Sequence, residues 1–311
     1  MTNLKNKTAF SLIELSIVIL IIGIIIAGIT QSSRLIRQFK LSAARSQTQS
    51  GPVSSIKDLG AWFETTLAAS FIDGEIEDSA LLTAPTGVTV WYDINSASSI
   101  KRDASSGSSG TRPFYYANCM NGLPCLRFDG TNDLLLFDGT FLAGNDYTIF
   151  VVEQRRIAGA LYFLGNDNTA TANTALEFGY SATSAVRFSQ GGTSNFYTVG
   201  SSPQITAYTA PSPRLHVFVN GTIASGGTTA VVSHYLNGST TASTLAAVGT
   251  PAFTTLTAYD DAAIGSSTVS GTATYFTGDI GEMIFYTRAL KNEERVAVED
   301  YLLKKWNIAG I

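Results

Sequence analysis

One carboxylate stands inside an apolar run. The chain reads Phe10-Ser11-Leu12-Ile13-Glu14 and then continues almost unbroken in apolar residues from Leu15 to Ile29. A charge in such a helix costs about 2.5–3.5 kcal/mol on insertion scales, and pairing with an ammonium in a low-dielectric setting is the chemistry that offsets it. Other reactive side chains are sparse. Cys119 and Cys125 lie far in sequence from His216 and His234, so the four make no zinc-ligand spacing. With two histidines, no Ser/His/Asp spacing stands out. Glycoside cleavage needs two facing carboxylates, and the nearest run is Glu75-Ile76-Glu77-Asp78. It follows Gly74 in a polar spacer where charge is ordinarily solvated. Gly191-Gly192 and Gly226-Gly227 lack the strand-to-helix context of a phosphate loop.

These groups must be positioned by a chain of 311 residues, long enough for one sizeable domain behind a helix. Its net charge is −4 and its pI about 5.2, which gives nucleic acid no global attraction. Only 14% of residues are charged, while 17 Phe and 13 Tyr accompany abundant Gly, Ser and Thr, the make-up of a β-rich exported protein.

The spacing predicts a helix over 10–50, about 60 Å long, whose first twenty residues cover about 30 Å and span a bilayer. The apolar run is longer than a signal-peptide core, and no small-x-small site follows it directly. Lys5 and Lys7 favour a cytoplasmic N-terminus, but Arg34, Arg37, Lys40 and Arg45 follow the span and point the other way by the positive-inside rule. Leu35, Ile36, Phe39 and Ala43 form a helical stripe expected to pack on the following domain. Gly51-Pro52 stops the helix.

Beyond Pro52 the period changes to short strands: Val88–Asp93, Cys125–Phe128, Leu134–Phe137, Tyr147–Glu153, Leu161–Leu164, Ala175–Tyr180, Arg214–Asn220, Val231–Leu236 and Asp279–Tyr286. Spacers such as Asn220-Gly221 and Asn237-Gly238 are turn sequences, and the rhythm is that of an all-β sandwich. Ser96–Arg112, rich in Ser and Gly, reads as a mobile loop. A closing helix is expected with Asn292 as its cap, Glu293 and Glu294 at its positive end, and Val298, Leu302 and Trp306 with Tyr301 facing the sandwich.

The N-terminal segment resembles that of type IV prepilins and the pseudopilins of secretion systems. The resemblance implies a leader over 1–9, cleavage by prepilin peptidase between Ala9 and Phe10, N-methylation of Phe10, and pairing of Glu14 with a terminal amine during filament assembly. The family usually has Gly before the cut, where this chain has Ala9. Its partners would be other pilin or pseudopilin subunits. The precursor would cross the inner membrane once, in contact with its lipid and with the domain in the periplasm, and then enter a pilus or pseudopilus, with the cell surface as one destination.

Trp91-Tyr92-Asp93, the segment Asn121 to Gly130 ending Arg127-Phe128-Asp129-Gly130, Tyr147 to Val152, and Gly278 to Tyr286 followed by Arg288-Ala289-Leu290 resemble the LamG-like, concanavalin A-type jelly roll. The expected fold is thus mainly β, a LamG-like sandwich over 51–311 behind a long helix. That fold class implies binding of a glycan or surface protein rather than catalysis, with no cofactor required. It leaves open a Ca²⁺ ion held by Asp129, Asn132, Asp133, Asp138, Asn166, Asp167, Asp260 or Asp261; turn formation is the ordinary use of each.

In an exported domain an even cysteine pair oxidises. The Asn121-Gly122 and Pro124 reversal can bring Cys119 to Cys125, the alternative being two free buried thiols. Three functions follow: an adhesin at a minor or tip position of a pilus, a structural pseudopilin of a type II secretion system, and a membrane-tethered glycan hydrolase. The first is favoured.

Overall fold

The computed structural model describes residues 11–311 except 77, 79–81, 83–85, 169–172, 183–184, 191–194, 200–207, 222–231, 252, 254–255 and 269–270, and leaves out the side chains at 29–31, 33 and 182. A single helix, α1 (Leu12–Ser50), opens the chain and ends at Gly51, as the Gly-Pro signal predicts. It is followed by β1 (Leu59–Glu64), β2 (Val90–Trp91), β3 (Ala104–Ser105), β4 (Phe114–Met120), β5 (Leu123–Asp129), β6 (Leu135–Phe137) and β7 (Tyr147–Arg155). Next come β8 (Leu161–Asn166), β9 (Glu177–Ala182), β10 (Ala185–Ser189), β11 (Phe196–Val199), β12 (Arg214–Asn220) and β13 (Val232–Leu236). The chain closes with β14 (Leu245–Val248), β15 (Ala262–Ile264), β16 (Ser266–Ser267), β17 (Thr274–Tyr275), β18 (Thr277–Tyr286) and α2 (Asn292–Trp306).

Two antiparallel sheets make a sandwich. One runs β13-β12-β7-β18-β5-β4 with β1 also on β18, and the other runs β14-β11-β10-β9-β8-β15-β6-β3-β2. Side chains alternate along β7: Ile149 and Val151 enter the core between the sheets, whereas Phe150 and Val152 enter a second apolar layer under α2. Both faces are covered, which is why this strand reads as a continuous apolar run. Phe178 and Phe218 stack at 4.4 Å in the inter-sheet core. Val298, Leu302 and Trp306 of α2 are wholly buried in the outer layer, as their spacing predicts.

β18 is the hub. Its first half pairs with β5 (Ile280 opposite Leu126) and its second half with β1 (Glu282 opposite Glu64) along the same edge. The change-over falls at Gly281, where a Cβ would lie 2.3 Å from the Trp306 ring and 2.5 Å from Met120. Only glycine lets the α2 indole reach the strand at that point.

Four expectations are corrected. The helical stripe does not pack: Leu35, Ile36 and Phe39 are 51, 56 and 70% exposed, and Ala43 is exposed too. The residues buried against the domain lie further along, at Ala44 and Thr48, because α1 packs on the sandwich in its last two turns; ahead of them Lys40 reaches Asn121 O of the β4–β5 turn. Ser96–Arg112 contains β3 and is tied down by Asp93, which accepts the Trp62, Asn95 and Arg102 amides, and by Asp103, which accepts the Asp93 amide. The cap of α2 is Lys291, whose amide donates to Glu294 at 3.0 Å, and Asn292 is its first helical residue. Finally, the expected strands pass over β1, which is buried on both faces and so shows no period-2 alternation, and β4, a largely half-buried edge strand.

The apolar residues of α1 from Leu12 to Ile26 are exposed in the single chain. Among the described residues no helix is long and apolar enough to cross a membrane, the described side chains of the apolar run ending at Gly28.

Candidate functional site

The start of α1 is set by local hydrogen bonding. Ser11 is the N-cap, its Oγ accepting the Ile13 amide at 3.3 Å, while Glu14 Oε2 accepts the Ser11 amide at 2.9 Å. This is a reciprocal capping box, and Ser-x-x-Glu is its legible sequence signal, one that the reading of Glu14 as a lone carboxylate overlooks. The carboxylate is held one residue from Phe10. Ala9 and Phe10 themselves lie outside the described residues.

The other end of α1 is joined to the sandwich by a buried ionic clasp. Lys305 Nζ of α2 donates to Glu64 Oε2 of β1 at 2.9 Å, to Glu282 Oε2 of β18 at 2.8 Å and to Thr48 Oγ1 of α1 at 2.7 Å. Tyr301 OH and the indole N–H groups of Trp62 and Trp306 also donate to Glu282, at 2.7, 2.8 and 2.9 Å. Arg45 Nε reaches Thr66 O at 2.7 Å, and Thr66 in turn donates to Glu64.

Burial alone would raise the Glu64 pKa, but the Lys305 ammonium and the Thr66 and Leu67 hydrogen bonds outweigh it and hold the carboxyl below its usual 4.5. Burial would likewise lower Lys305, and its two carboxylates raise it above 10.5 instead. Glu64 therefore withdraws its support only as pH falls below the ordinary carboxyl range, and Lys305 only as pH rises above the ordinary amine range. No feature of the sequence announces this clasp: its members are spread from Thr48 to Trp306.

The two histidines, distant in sequence, meet in the inter-sheet core. His216 Nε2 lies 3.1 Å from Glu153 Oε1, His216 Nδ1 lies 3.0 Å from His234 Nε2, and His234 Nδ1 lies 3.0 Å from Ser243 Oγ. Tyr180 OH donates to the same Glu153 oxygen at 2.6 Å. Burial lowers the pKa of both histidines and keeps them neutral. With the carboxylate accepting from His216 Nε2–H, each ring then has one donor and one acceptor, and the chain runs one way from the Ser243 hydroxyl to Glu153.

These are the parts of a nucleophile and its base. However, the Ser243 amide, the usual first donor to an oxyanion, already donates to His234 O at 2.7 Å, and Ser243 is 6% exposed. The chain fixes the register of β12 against β13, since a one-residue slip would turn His216 and His234 out of the core.

Glu75 accepts the Thr89 amide at 3.0 Å from a turn rather than a strand, so Glu75 and Asp78 do not alternate along a sheet as paired catalytic carboxylates would. Glu77 lies outside the described residues.

The candidate cation ligands mostly serve their own turns. Asp129 accepts the Thr131 and Asn132 amides, Asp133 the Asp129 amide, and Asp138 the Thr140 amide together with Arg102. Asn166, Asp167, Asp260 and Asp261 gather at one sheet end, where burial raises the Asp261 pKa with Asp260 and Asp167 nearby. Among the described residues the one group of three acidic, histidine or cysteine ligands close enough to share a metal is Cys119, Cys125 and Asp279. Its sulfurs are joined to each other, so this set does not fit a cation, and among the described residues no three carboxylates come that close together.

Asp133 gives a pH test. Burial pushes its carboxyl from 3.8 up to about 7, so its contribution to stability is present in acid and is lost as pH rises through 7. Asp133→Asn should match the native chain in thermal unfolding at pH 4 and exceed it at pH 8, and equal melting at both pH values would refute the shift.

The Cys119–Cys125 disulfide closes the β4–β5 hairpin with the Cα atoms 5.7 Å apart. The Asn121-Gly122 turn holds φ of 52° and 88°, the two positive values a tight two-residue turn requires. Arg127 lies against it, paired with Asp279 at 2.6 Å and stacked 4.0 Å from the Tyr116 ring. Cys119→Ser with Cys125→Ser should lower unfolding stability by about 2–3 kcal/mol. Tryptophan fluorescence in urea reads this directly, because Trp62, Trp91 and Trp306 are all buried.

Comparison with known proteins completes the picture. Residues 4–30 match the family model described as the prokaryotic N-terminal methylation motif. No curated protein matches the chain. Among solved structures, Trypanosoma rangeli sialidase in complex with 2-keto-3-deoxy-D-glycero-D-galacto-2,3-difluoro-nononic acid is similar at 15% identity and a TM-score of 0.50, over 82% of this chain and 34% of that one. The Ruminococcus gnavus IT-sialidase CBM40 bound to α2,6-sialyllactose aligns at 17% identity and a TM-score of 0.43, over 56% of this chain and 96% of that one.

The chain thus spans about a third of the length of the sialidase, and at that identity the likeness is one of fold. The molecule is a β-sandwich carried on a prepilin-type N-terminal segment. That segment carries the prepilin methylation motif, which implies a type IV pilin-like or pseudopilin-like protein made as a membrane-anchored precursor, with prepilin peptidase and other pilin subunits as partners.

Proposed function

We propose that the protein is a minor or tip subunit of a type IV pilus that displays a lectin-like sandwich for adhesion to a glycan or surface protein. The observation that carries this reading is the methylation motif at 4–30 leading into one helix that is locked to a large sandwich through the Lys305 clasp. Such a joint presents the sandwich in a fixed attitude at the end of a stem. The precursor crosses the inner membrane once through Phe10–Ile29 with the sandwich in the periplasm. Prepilin peptidase cuts between Ala9 and Phe10, the Phe10 amine is methylated, and Glu14 pairs with the amine of a neighbouring subunit. Adhesion asks for no turnover and no cofactor, and the absence of an enzyme activity belongs to this proposal.

Two measurements test it. Mass spectrometry of the membrane-extracted protein should find a mature terminus at methyl-Phe10, and any other terminus counts against processing. A glycan array should find a ligand for the sandwich, and an empty array with loss of secretion in the deleted strain would favour the pseudopilin alternative. The fragment used must begin before Ala44. A cut at residue 51 would remove Thr48 from Lys305 and Arg45 from Thr66.

A further inference from the structure

We infer that the cleft between α1 and the β4–β5 turn seats the phosphate of an anionic phospholipid headgroup while the precursor is in the membrane. The inference rests on the membrane-anchored reading of the N-terminal segment. From Leu15 to Ser50 the chain has no acidic residue and four basic ones, Arg34, Arg37, Lys40 and Arg45. Arg45 turns to the domain and is engaged with Thr66 O. The other three are exposed.

Two adjoining clefts of about 460 and 370 Å³ share Arg37 and Gly122. Arg34 and Lys40 complete their basic lining, with Ile36 and Leu41 as apolar members. A third, of about 280 Å³, continues past Lys40 to Lys304. No Asp or Glu lines any of the three, in a chain whose net charge is −4. Among the described residues Arg34 and Arg37 have no hydrogen-bond or ion-pair partner, and Lys40 Nζ makes one bond, to Asn121 O at 3.3 Å.

Position selects the ligand. Arg34 and Arg37 lie about 8–12 Å along the helix beyond Ile29, at the edge of the headgroup layer that flanks the hydrocarbon core. Basic residues on the exported side oppose the positive-inside rule, and an anion of the outer leaflet in the same layer is the counter-charge that position offers. Ile36 and Leu41 beside the guanidinium groups suit the glycerol and first methylenes of the same molecule. The tight Asn121-Gly122 turn forms the far wall, fixed to the sandwich by Asn121 Nδ2 donating to Trp306 O and Asn307 O at 2.8 and 3.0 Å.

The test uses the full chain purified in detergent and offered equimolar phosphatidylglycerol and phosphatidylcholine, with retained lipid counted by native mass spectrometry. Phosphatidylglycerol should be retained first by about ten-fold, Arg34→Gln and Arg37→Gln should each cut that preference about five-fold, and Lys57→Gln, away from the cleft, should leave it intact. Equal retention of the two lipids overturns the inference. So does loss of the preference in excess inorganic phosphate, which marks a free-anion site. A double Arg34→Gln, Arg37→Gln variant that keeps the lipid preference but fails to enter filaments assigns the cleft to a subunit contact and also overturns it. Alkaline carbonate extraction separates the two readings: native protein absent from the membrane pellet sinks the anchor, whereas protein in the pellet with no lipid preference sinks the cleft alone.

Discussion

Lys305→Met should lower the stability of the fold by about 3–5 kcal/mol, the cost of leaving buried charge without its counter-ion. Glu64 and Glu282 are both fully buried around that ammonium, and neither has another cation within hydrogen-bond reach among the described residues. The indoles of Trp62 and Trp306 and the Tyr301 hydroxyl would still donate to Glu282, but they carry no charge. Thermal unfolding of the full chain in detergent, followed by tryptophan emission, measures the loss. The triple variant Lys305→Met, Glu64→Gln, Glu282→Gln should recover most of it, because the desolvation cost leaves with the charges. A triple variant no more stable than the single one would show that the clasp acts through packing rather than charge.

Glu14→Leu should abolish filament incorporation while the sandwich stays folded. On the proposed processing and pairing, loss of the carboxylate would leave the Phe10 amine unpaired in an apolar filament core, at a cost of about 3 kcal/mol or more, which is over a hundred-fold in assembly. Immunodetection in sheared filament fractions reads assembly, and near-ultraviolet circular dichroism reads the fold. Ser11→Ala is the informative companion. It removes the Oγ acceptor for the Ile13 amide, worth about 1 kcal/mol, but leaves the Ser11 amide bonded to Glu14. It should assemble. Normal assembly of Glu14→Leu would contradict the role given to the carboxylate, and failure of both variants would show that helix capping alone is at stake.

Much of this molecule was legible before its structure. The stem announced itself by an apolar run of membrane length and by Gly51-Pro52, and the strands that matched expectation, such as β7 and β12, have long β-branched and aromatic runs. The tight Asn121-Gly122 turn was legible for the same reason: it needs two positive φ values that Asn-Gly supplies. What sequence pattern could not show is whatever depends on long-range convergence. Leu35, Ile36 and Phe39 have the spacing of a packed face, yet periodicity cannot say which turn of a helix meets a domain. Glu64, Glu282 and Lys305 each look like surface charge until β1, β18 and α2 bring them together. His216 and His234 looked idle because their partner Glu153 is on another strand and Ser243 on a loop.

The residues that grip the stem come from the two extremes of the exported domain. Thr48 and Arg45 are met by β1 on one side, and by β18 and α2 on the other. The mount rests on β4, β5, β7 and β12, whose outward side chains pack under α2, whereas β9, β10, β11 and β14 lie in the opposite sheet and contribute no residue to it. Variation in those four strands and their loops leaves the mount untouched, so one stem is suited to presenting many different faces.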